Sequence, residues 1–109
     1  MGRSGLTLMW MYVMFDLPVI QPEDRKQATD FRKFLLNEGF IMAQFSVYYK
    51  LIGGKDEIHK YSSHVEKALP QKGKVDIFSI TDKQYGNIIT FRARNKKKGP
   101  KKAVQYQLF

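Results

Sequence analysis

The chain has 109 residues, a length that predicts one domain, and 43% of them are hydrophobic, which is enough for a core. The absence of cysteine excludes disulfides, thiolate metal sites and thiol nucleophiles. The net charge is +9, from 19 basic and 10 acidic residues, so we expect a polyanion such as nucleic acid as the partner.

The first part of the chain predicts a flexible lead followed by a strand. The lead comprises residues 1–6, and residues 7–15 are apolar almost without a break, as in a strand covered on both faces. The apolar stretch 8–15 is too short to span a bilayer and lacks a small-residue cleavage site. We therefore expect no membrane contact and a cytoplasmic location.

Two helices are predicted by apolar residues at spacings of three and four. The first begins at Pro22, has acidic residues in its first turn and is followed by Gly39. Its apolar face comprises Ala28, Phe31, Phe34 and Leu35. The second runs from about Asp56 to Leu69 and is closed by Pro70. Its apolar face comprises Ile58, Tyr61, Val65 and Leu69.

Strand patterns fill the remaining segments. Residues 40–52 predict strand structure with a bend or short hairpin near residues 44–46, and residues 74–81 alternate, with Val75, Ile77 and Ser79 on one side. Residues 84–92 predict a further strand, and residues 103–109 a C-terminal strand. The order predicts a single α+β domain over residues 1–109. It is a ferredoxin-like βαββαβ fold with an additional C-terminal strand, whose antiparallel sheet carries both helices on one face.

Positive charge is concentrated in one segment. Residues 92–102, a predicted basic loop, contribute +7 and leave +2 for the rest of the chain. The loop is either a solubilising segment or a phosphate-binding one. Its basic residues are Arg92, Arg94, Lys96, Lys97, Lys98, Lys101 and Lys102. A basic face on the first helix either is simply solvated or extends the same phosphate track; it comprises Arg25, Lys26, Arg32 and Lys33.

The predicted C-terminal strand has an apolar side that no part of a single chain is expected to cover. Its alternation puts Val104, Tyr106 and Leu108 on one side. We predict that these residues bind a partner, because such a strand can pair with the sheet edge of another chain.

Asp16 is the candidate catalytic residue and metal ligand. It directly follows the apolar strand, so its carboxylate is expected at the rim of the sheet, although Leu17-Pro18 equally fits a turn aspartate. Mg²⁺ prefers six oxygen ligands, and no other acidic residue has an obvious spacing to Asp16. A twofold dimer would bring two copies of Asp16 to one axis, where the metal could polarise a phosphodiester and supply hydroxide.

Histidines and aromatic residues are weaker candidates. His59 and His64 lie five residues apart on the second helix, about 140° around its axis, and we interpret them as surface residues. Certain strand aromatics either stack nucleic-acid bases or pack within the sheet; they are Tyr48, Tyr49, Phe78 and Phe91.

Several runs in this order resemble CRISPR-associated protein 2, the small partner of the CRISPR spacer integrase. They are the strand end Tyr12 to Pro18, Arg25-Lys26, Gly39-Phe40 and the stretch Gln44 to Tyr48. The Asp-Leu-Pro, Arg-Lys-Phe-Leu, Glu-Gly-Phe and Ser-Val-Tyr runs look like the branch found beside type II systems. Phe15 stands where many members have tyrosine, which removes a hydroxyl near the site.

The resemblance implies a ferredoxin-like homodimer in which Asp16 of both protomers binds Mg²⁺. It implies a magnesium-dependent endonuclease, a hydrolase of phosphodiester bonds in RNA or double-stranded DNA. It also implies a scaffold that holds double-stranded DNA between integrase dimers during spacer acquisition in antiviral defence. The scaffold is the leading hypothesis for this chain, and endonuclease activity of the same dimer is compatible with it. The basic residues above would hold the DNA backbone, and the C-terminal segment would contact the integrase. The alternative is a stand-alone, metal-dependent endoribonuclease or single-stranded-RNA-binding module of the same fold.

Overall fold

The computed structural model describes residues 8–93, which form four strands and three helices. The elements are β1 (Met9–Asp16), α1 (Pro22–Asn37), β2 (Ile41–Gln44), β3 (Val47–Ile52), α2 (Lys55–Lys67), β4 (Lys74–Thr81) and α3 (Asp82–Gly86). Across this part of the chain, no helix has the length and apolar character needed to cross a membrane.

The four strands form one antiparallel sheet in the order β2-β3-β1-β4. Strand β1 is central, paired with β3 along one side and with β4 along the other. This order, with α1 and α2 supplying core residues to the same face, is the ferredoxin-like arrangement. The predicted α+β fold class is confirmed.

The core lies between the two long helices and one face of the sheet. From β1 it takes Met11 and Val13, which have no exposed surface, and Phe15, whose ring meets Phe31 edge to face at 5.2 Å. From the helices it takes Ala28, Phe31, Leu35 and Val65. Because these residues come from the predicted apolar faces, the helical periodicity located the core correctly.

Two predicted turns are confirmed. The bend near residues 44–46 is the β2–β3 hairpin, where Ser46 has φ 65° and its carbonyl oxygen accepts a hydrogen bond from the Phe15 amide at 3.0 Å. Gly39 follows α1 with φ 94°, a conformation that favours glycine.

In β4, Val75 and Ile77 pair with Phe15 and Val13 of β1, so the side that they were predicted to share faces the helices.

The predicted strand at residues 84–92 is wrong. Residues 82–86 form α3, and residues 87–93 contain no strand. A capping box begins this helix: the Thr81 hydroxyl accepts from the Gln84 amide at 3.1 Å, and the Gln84 side chain accepts from the Thr81 amide at 2.9 Å. These two bonds stabilise the first turn of α3 at residues where the sequence pattern predicted a strand.

The second helix is shorter than predicted. It ends at Lys67, and Leu69 lies beyond it with 48% of its surface exposed, so Leu69 is not part of the helix's buried face. His59 is exposed as predicted, whereas His64 is half-buried, and its Nδ1 lies 2.6 Å from Glu38 Oε1. This pair connects α2 to the residue after α1.

The predicted lead (1–6), the basic loop beyond Ala93 and the C-terminal strand (103–109) lie outside the described residues.

Candidate nucleic-acid interface

The second face of the sheet carries no helix of the core, and we call it the open face. Because strand side chains alternate, Trp10, Tyr12, Met14 and Asp16 point to this face while their odd-numbered neighbours enter the core. Tyr12 lies between Tyr49 on β3 and Phe78 on β4. The apolar run of β1 is continuous because one set of alternate residues enters the core and the other set lines the open face.

Aromatic rings dominate the open face. Tyr12 stacks on Phe78 with centroids 4.9 Å apart and rings 9° from parallel, and it meets Tyr49 edge to face at 5.5 Å. Trp10 stacks on Tyr85 at 4.0 Å and lies 5.1 Å from Tyr49. Contacts of this kind add to ordinary area burial, so the rings hold one another in place.

Helix α3 is fastened to this aromatic surface. The Trp10 indole donates a hydrogen bond from Nε1 to Asp82 Oδ1 at 2.8 Å, and the Asp82 amide donates to the Leu8 carbonyl oxygen at 3.1 Å. The capping box at Thr81 fixes the start of the helix. Tyr85 is therefore positioned on the open face by a segment that sequence reasoning had assigned to a strand.

Asp16 is exposed at the end of β1, opposite Lys74 at the start of β4. Gly73 precedes this pair with φ 100°, and a Cβ built there would lie 2.7 Å from the Asp16 carbonyl oxygen. Glycine is thus required for the chain to pass so close to the backbone of Asp16. The prediction that this carboxylate emerges at the rim of the sheet is confirmed.

A second carboxylate shares this corner of the open face. Asp76 pairs with Met14, so it lies diagonally across from Asp16, an arrangement in which neighbours are typically roughly 7–8 Å apart. Lys74 stands beside both positions and its Nζ is 3.4 Å from Asp76 Oδ2. Sequence reasoning found no acidic partner for Asp16, although the alternation of residues 74–81 already placed Asp76 opposite the core-facing side.

The corner is a partial match to a magnesium site. Asp16 and Asp76 are oxygen donors of the kind that Mg²⁺ prefers, but the Lys74 ammonium, 3.4 Å from Asp76, competes with a cation for that carboxylate. Within residues 8–93, no three acidic or histidine side chains come together to hold a metal. One protomer therefore supplies an incomplete donor set, which a symmetry-related Asp16, water and substrate oxygens would complete.

Arg25, at the start of the basic face on α1, has a structural task. Its Nη1 donates hydrogen bonds to the carbonyl oxygens of Val19 at 3.2 Å and Ile20 at 2.8 Å. These bonds hold the loop between Asp16 and α1. No local pattern in the sequence indicates this role.

The other basic residues of α1 are exposed along the same side. Lys26 Nζ lies 3.0 Å from Asp30 Oδ2, and this hydrogen bond, with the negative charge of Asp30, raises the pKa of Lys26. Arg32 donates to the Thr29 hydroxyl at 3.2 Å. Lys33 completes the face, which is accessible to a phosphate backbone at each of these positions.

The structure separates the aromatic candidates. Tyr48 faces the core with only 3% of its surface exposed, so of the two alternatives its ring packs within the fold and does not offer a surface to a base. Tyr49 and Phe78 lie on the open face, and Phe91 is 90% exposed. The remaining predicted contacts (Arg94, Lys96, Lys97, Lys98, Lys101, Lys102, Val104, Tyr106 and Leu108) lie outside the described residues.

The fold is shared with a solved structure described as a crystal structure of Cas2. The two superpose with a TM-score of 0.57 over 85% of this chain and 94% of that chain. Their sequences are 17% identical, so this likeness concerns the fold alone.

Sequence comparisons define the family. Residues 9–88 match the family described as CRISPR associated protein Cas2. A protein of Paracidovorax avenae named CRISPR-associated endoribonuclease Cas2 is 48% identical over 106 residues, covering 97% of this chain and 98% of that protein. A protein of the same name from Flavobacterium psychrophilum is 36% identical over 101 residues, covering 93% and 88%. The chain belongs to the CRISPR-associated protein Cas2 family, as its resemblance predicted.

Proposed function

We propose that this chain is a magnesium-dependent endonuclease that works as a twofold dimer, with Asp16 of both protomers at the reaction centre. The observation that carries the proposal is the corner at the end of β1, where an exposed Asp16 lies beside Asp76 on a face not covered by α1 or α2. Because Lys74 pairs with Asp76, one protomer offers mainly the Asp16 carboxylate to Mg²⁺, and a twofold axis through the corner would add a second copy of it.

The residues of the corner have distinct tasks in this proposal. The two Asp16 carboxylates would hold the metal, which when bound would supply a hydroxide nucleophile and neutralise charge on the phosphate. Gly73 allows the backbone at Asp16 to keep its position. Lys74 provides a positive charge at the same rim, where it can attract a substrate phosphate.

RNA is the leading cleavage substrate. The two relatives above are both named endoribonucleases, and they share 48% and 36% of their aligned residues with this chain. Double-stranded DNA is the other substrate that the sequence resemblance implied, so both belong in the test.

A second function is favoured by the charge distribution. Residues 92–102 contribute +7 of the net +9, and they are separate in sequence from Asp16. A basic segment of this kind binds phosphates without reading bases. It supports a scaffold role in spacer acquisition, in which the dimer holds double-stranded DNA and the C-terminal residues contact the integrase. Membership of the type II-like branch stays a prediction.

One experiment tests both functions. Wild-type protein, Asp16→Asn and the control Asp56→Asn are incubated with labelled single-stranded RNA and duplex DNA, with magnesium or with a chelator. Asp56 is a matched control because its carboxylate is exposed in the first turn of α2, outside both the corner and the basic face of α1. We expect cleavage only with magnesium, lost in Asp16→Asn and kept in Asp56→Asn.

Duplex binding by the same three proteins provides the second readout. All three should bind duplex DNA alike, and the affinity should fall by about 10³-fold or more between about 50 and 200 mM salt, because several phosphate contacts release counterions. Equal cleavage by wild type and Asp16→Asn would contradict the endonuclease proposal. A salt-independent affinity would contradict the scaffold proposal.

A further inference from the structure

The first two turns of α1 contact both of the loops that meet at Asp16. One is the loop between β1 and α1, which begins at Leu17. The other is the loop between α2 and β4, which ends at Gly73 and leads into Lys74, the strand partner of Asp16. The residues that hold these two loops can therefore set the position of the Asp16 backbone.

The α2–β4 loop is fastened to α1 by two polar contacts. The Gln71 amide donates a hydrogen bond to Gln27 Oε1 at 2.9 Å, and Lys72 Nζ lies 3.6 Å from Asp24 Oδ1. The Asp24 side chain keeps only 10% of its surface exposed. A carboxylate that is so well covered needs favourable charge nearby, which Lys72 and the N-terminal end of α1 supply.

The β1–α1 loop is held from the same two turns. Arg25 donates its hydrogen bonds to the carbonyl oxygens of Val19 and Ile20 in this loop. The narrow space between the two loops and the helix is lined by the apolar residues Leu17, Pro18, Ala28 and Pro70. We call the three side chains that act on the loops the α1 clamp; they are Asp24, Arg25 and Gln27.

The clamp reaches Asp16 through Gly73. This glycine directly follows Lys72, and a Cβ built on it would lie 2.7 Å from both the Asp16 carbonyl oxygen and Leu17 Cδ2. So close an approach leaves neither segment room to shift independently of the other. A displacement of the α2–β4 loop is therefore passed on to the backbone of Asp16.

We propose that Asp24, Gln27 and Lys72 are positioning residues for the Asp16 carboxylate, which they hold in place through the α2–β4 loop. The inference rests on the endonuclease function proposed above, because a metal shared by two carboxylates requires each to keep its place within about 0.5 Å. None of the three is a metal ligand in this proposal. Residues that orient a ligand from outside commonly change metal affinity by about 10–100-fold when they are replaced.

The backbone effect is measured without metal, so that it does not depend on cleavage. Full-length protein is studied by NMR in the presence of a chelator. Gln27→Met keeps the length of the side chain and removes the acceptor, so it should speed hydrogen exchange of the Gln71 amide by about fivefold and shift the backbone resonances of Asp16 and Leu17. The control Lys55→Met, at an exposed position at the start of α2, should do neither.

Two substitutions of Lys72 separate positioning from charge. In a Mn²⁺ titration followed by broadening of the Asp16 amide signal, Lys72→Met should bind the ion about tenfold more weakly than wild type. Removal of a positive charge alone would strengthen cation binding, so weaker binding identifies a positioning role. Lys72→Arg and Lys55→Met should bind Mn²⁺ as wild type does. Asp24→Asn breaks the same ion pair and should shift the Asp16 resonances as Gln27→Met does.

The outcomes distinguish this inference from the endonuclease proposal. Denaturant midpoints establish that each variant is folded, and the Gln27 and Lys72 variants test separate contacts. The inference is overturned if Gln27→Met leaves Asp16 and Leu17 unchanged, if Lys72→Met binds Mn²⁺ as tightly as wild type or more tightly, or if Lys72→Arg fails to restore binding. If Gln27→Met shifts the Asp16 resonances but the wild type cleaves no RNA, the endonuclease proposal alone is contradicted.

Discussion

The two faces of the sheet have similar apolar content but differ in how far their side chains are buried. On the helix-covered face Met11 and Val13 are completely buried, whereas on the open face Met14 and Phe78 keep 40% and 41% of their surface exposed. The difference arises because both long helices pack on one side. A continuous apolar strand therefore has two sets of alternate residues: one is buried under the helices, and the other lines the aromatic open face.

The largest effect that follows from this comparison concerns two neighbouring leucines on α1. Leu35 has no exposed surface, while Leu36 is 54% exposed. Leu35→Ala should lower the free energy of unfolding by about 2–5 kcal/mol because it leaves a cavity in the core. Leu36→Ala should change it by no more than about 0.5 kcal/mol. Denaturant unfolding of both variants checks the contrast, and comparable losses would show that α1 is not packed as described.

An intermediate effect is expected at the corner where β1 ends. Gly73→Ala should cost about 1–3 kcal/mol, because the residue has φ 100° and its new methyl group would press on the Asp16 carbonyl oxygen. Gly86→Ala is the matched control, since a Cβ there meets nothing within 4 Å, and it should be neutral or stabilise by up to about 1 kcal/mol. Thermal and denaturant unfolding measure both. A neutral Gly73→Ala would mean that the backbone can move away from Asp16.

Local sequence patterns were sufficient for the helix-covered face. The spacing of Ala28, Phe31 and Leu35 predicted the buried side of α1, and Gly39 its end. These features depend on helical periodicity and on glycine's access to positive φ, both of which act over a few residues. The alternation in residues 74–81 was equally local, and it placed Val75 and Ile77 correctly.

The open face depended on interactions that local patterns do not record. Tyr48 and Tyr49 are adjacent aromatic residues in one strand, and only the side on which the helices pack decides which ring is buried. Helix α3 is the exception, because Thr81 and Gln84 have the spacing of a capping box and could have been found. Asp76 was missed as a neighbour of Asp16 because their proximity is set by the register between β1 and β4.

The smallest effect, invisible at neutral pH, concerns the phenols of the open face. Burial, aided by the nearby Tyr49, raises the pKa of Tyr12 above the ordinary 10.0, and hydrogen bonding to Tyr49 raises that of Tyr85. Since the folded state holds these protons more tightly than the unfolded state, their contribution to stability is complete below pH 10 and is lost as the pH rises through the raised values.

Absorbance titration of tyrosinate should show phenols that ionise at a higher pH than the ordinary tyrosine. Tyr49→Phe should bring Tyr85 back towards 10.0, while the control Tyr61→Phe, on α2, should leave it raised. An unchanged titration in Tyr49→Phe would mean that the hydroxyls of Tyr49 and Tyr85 do not interact.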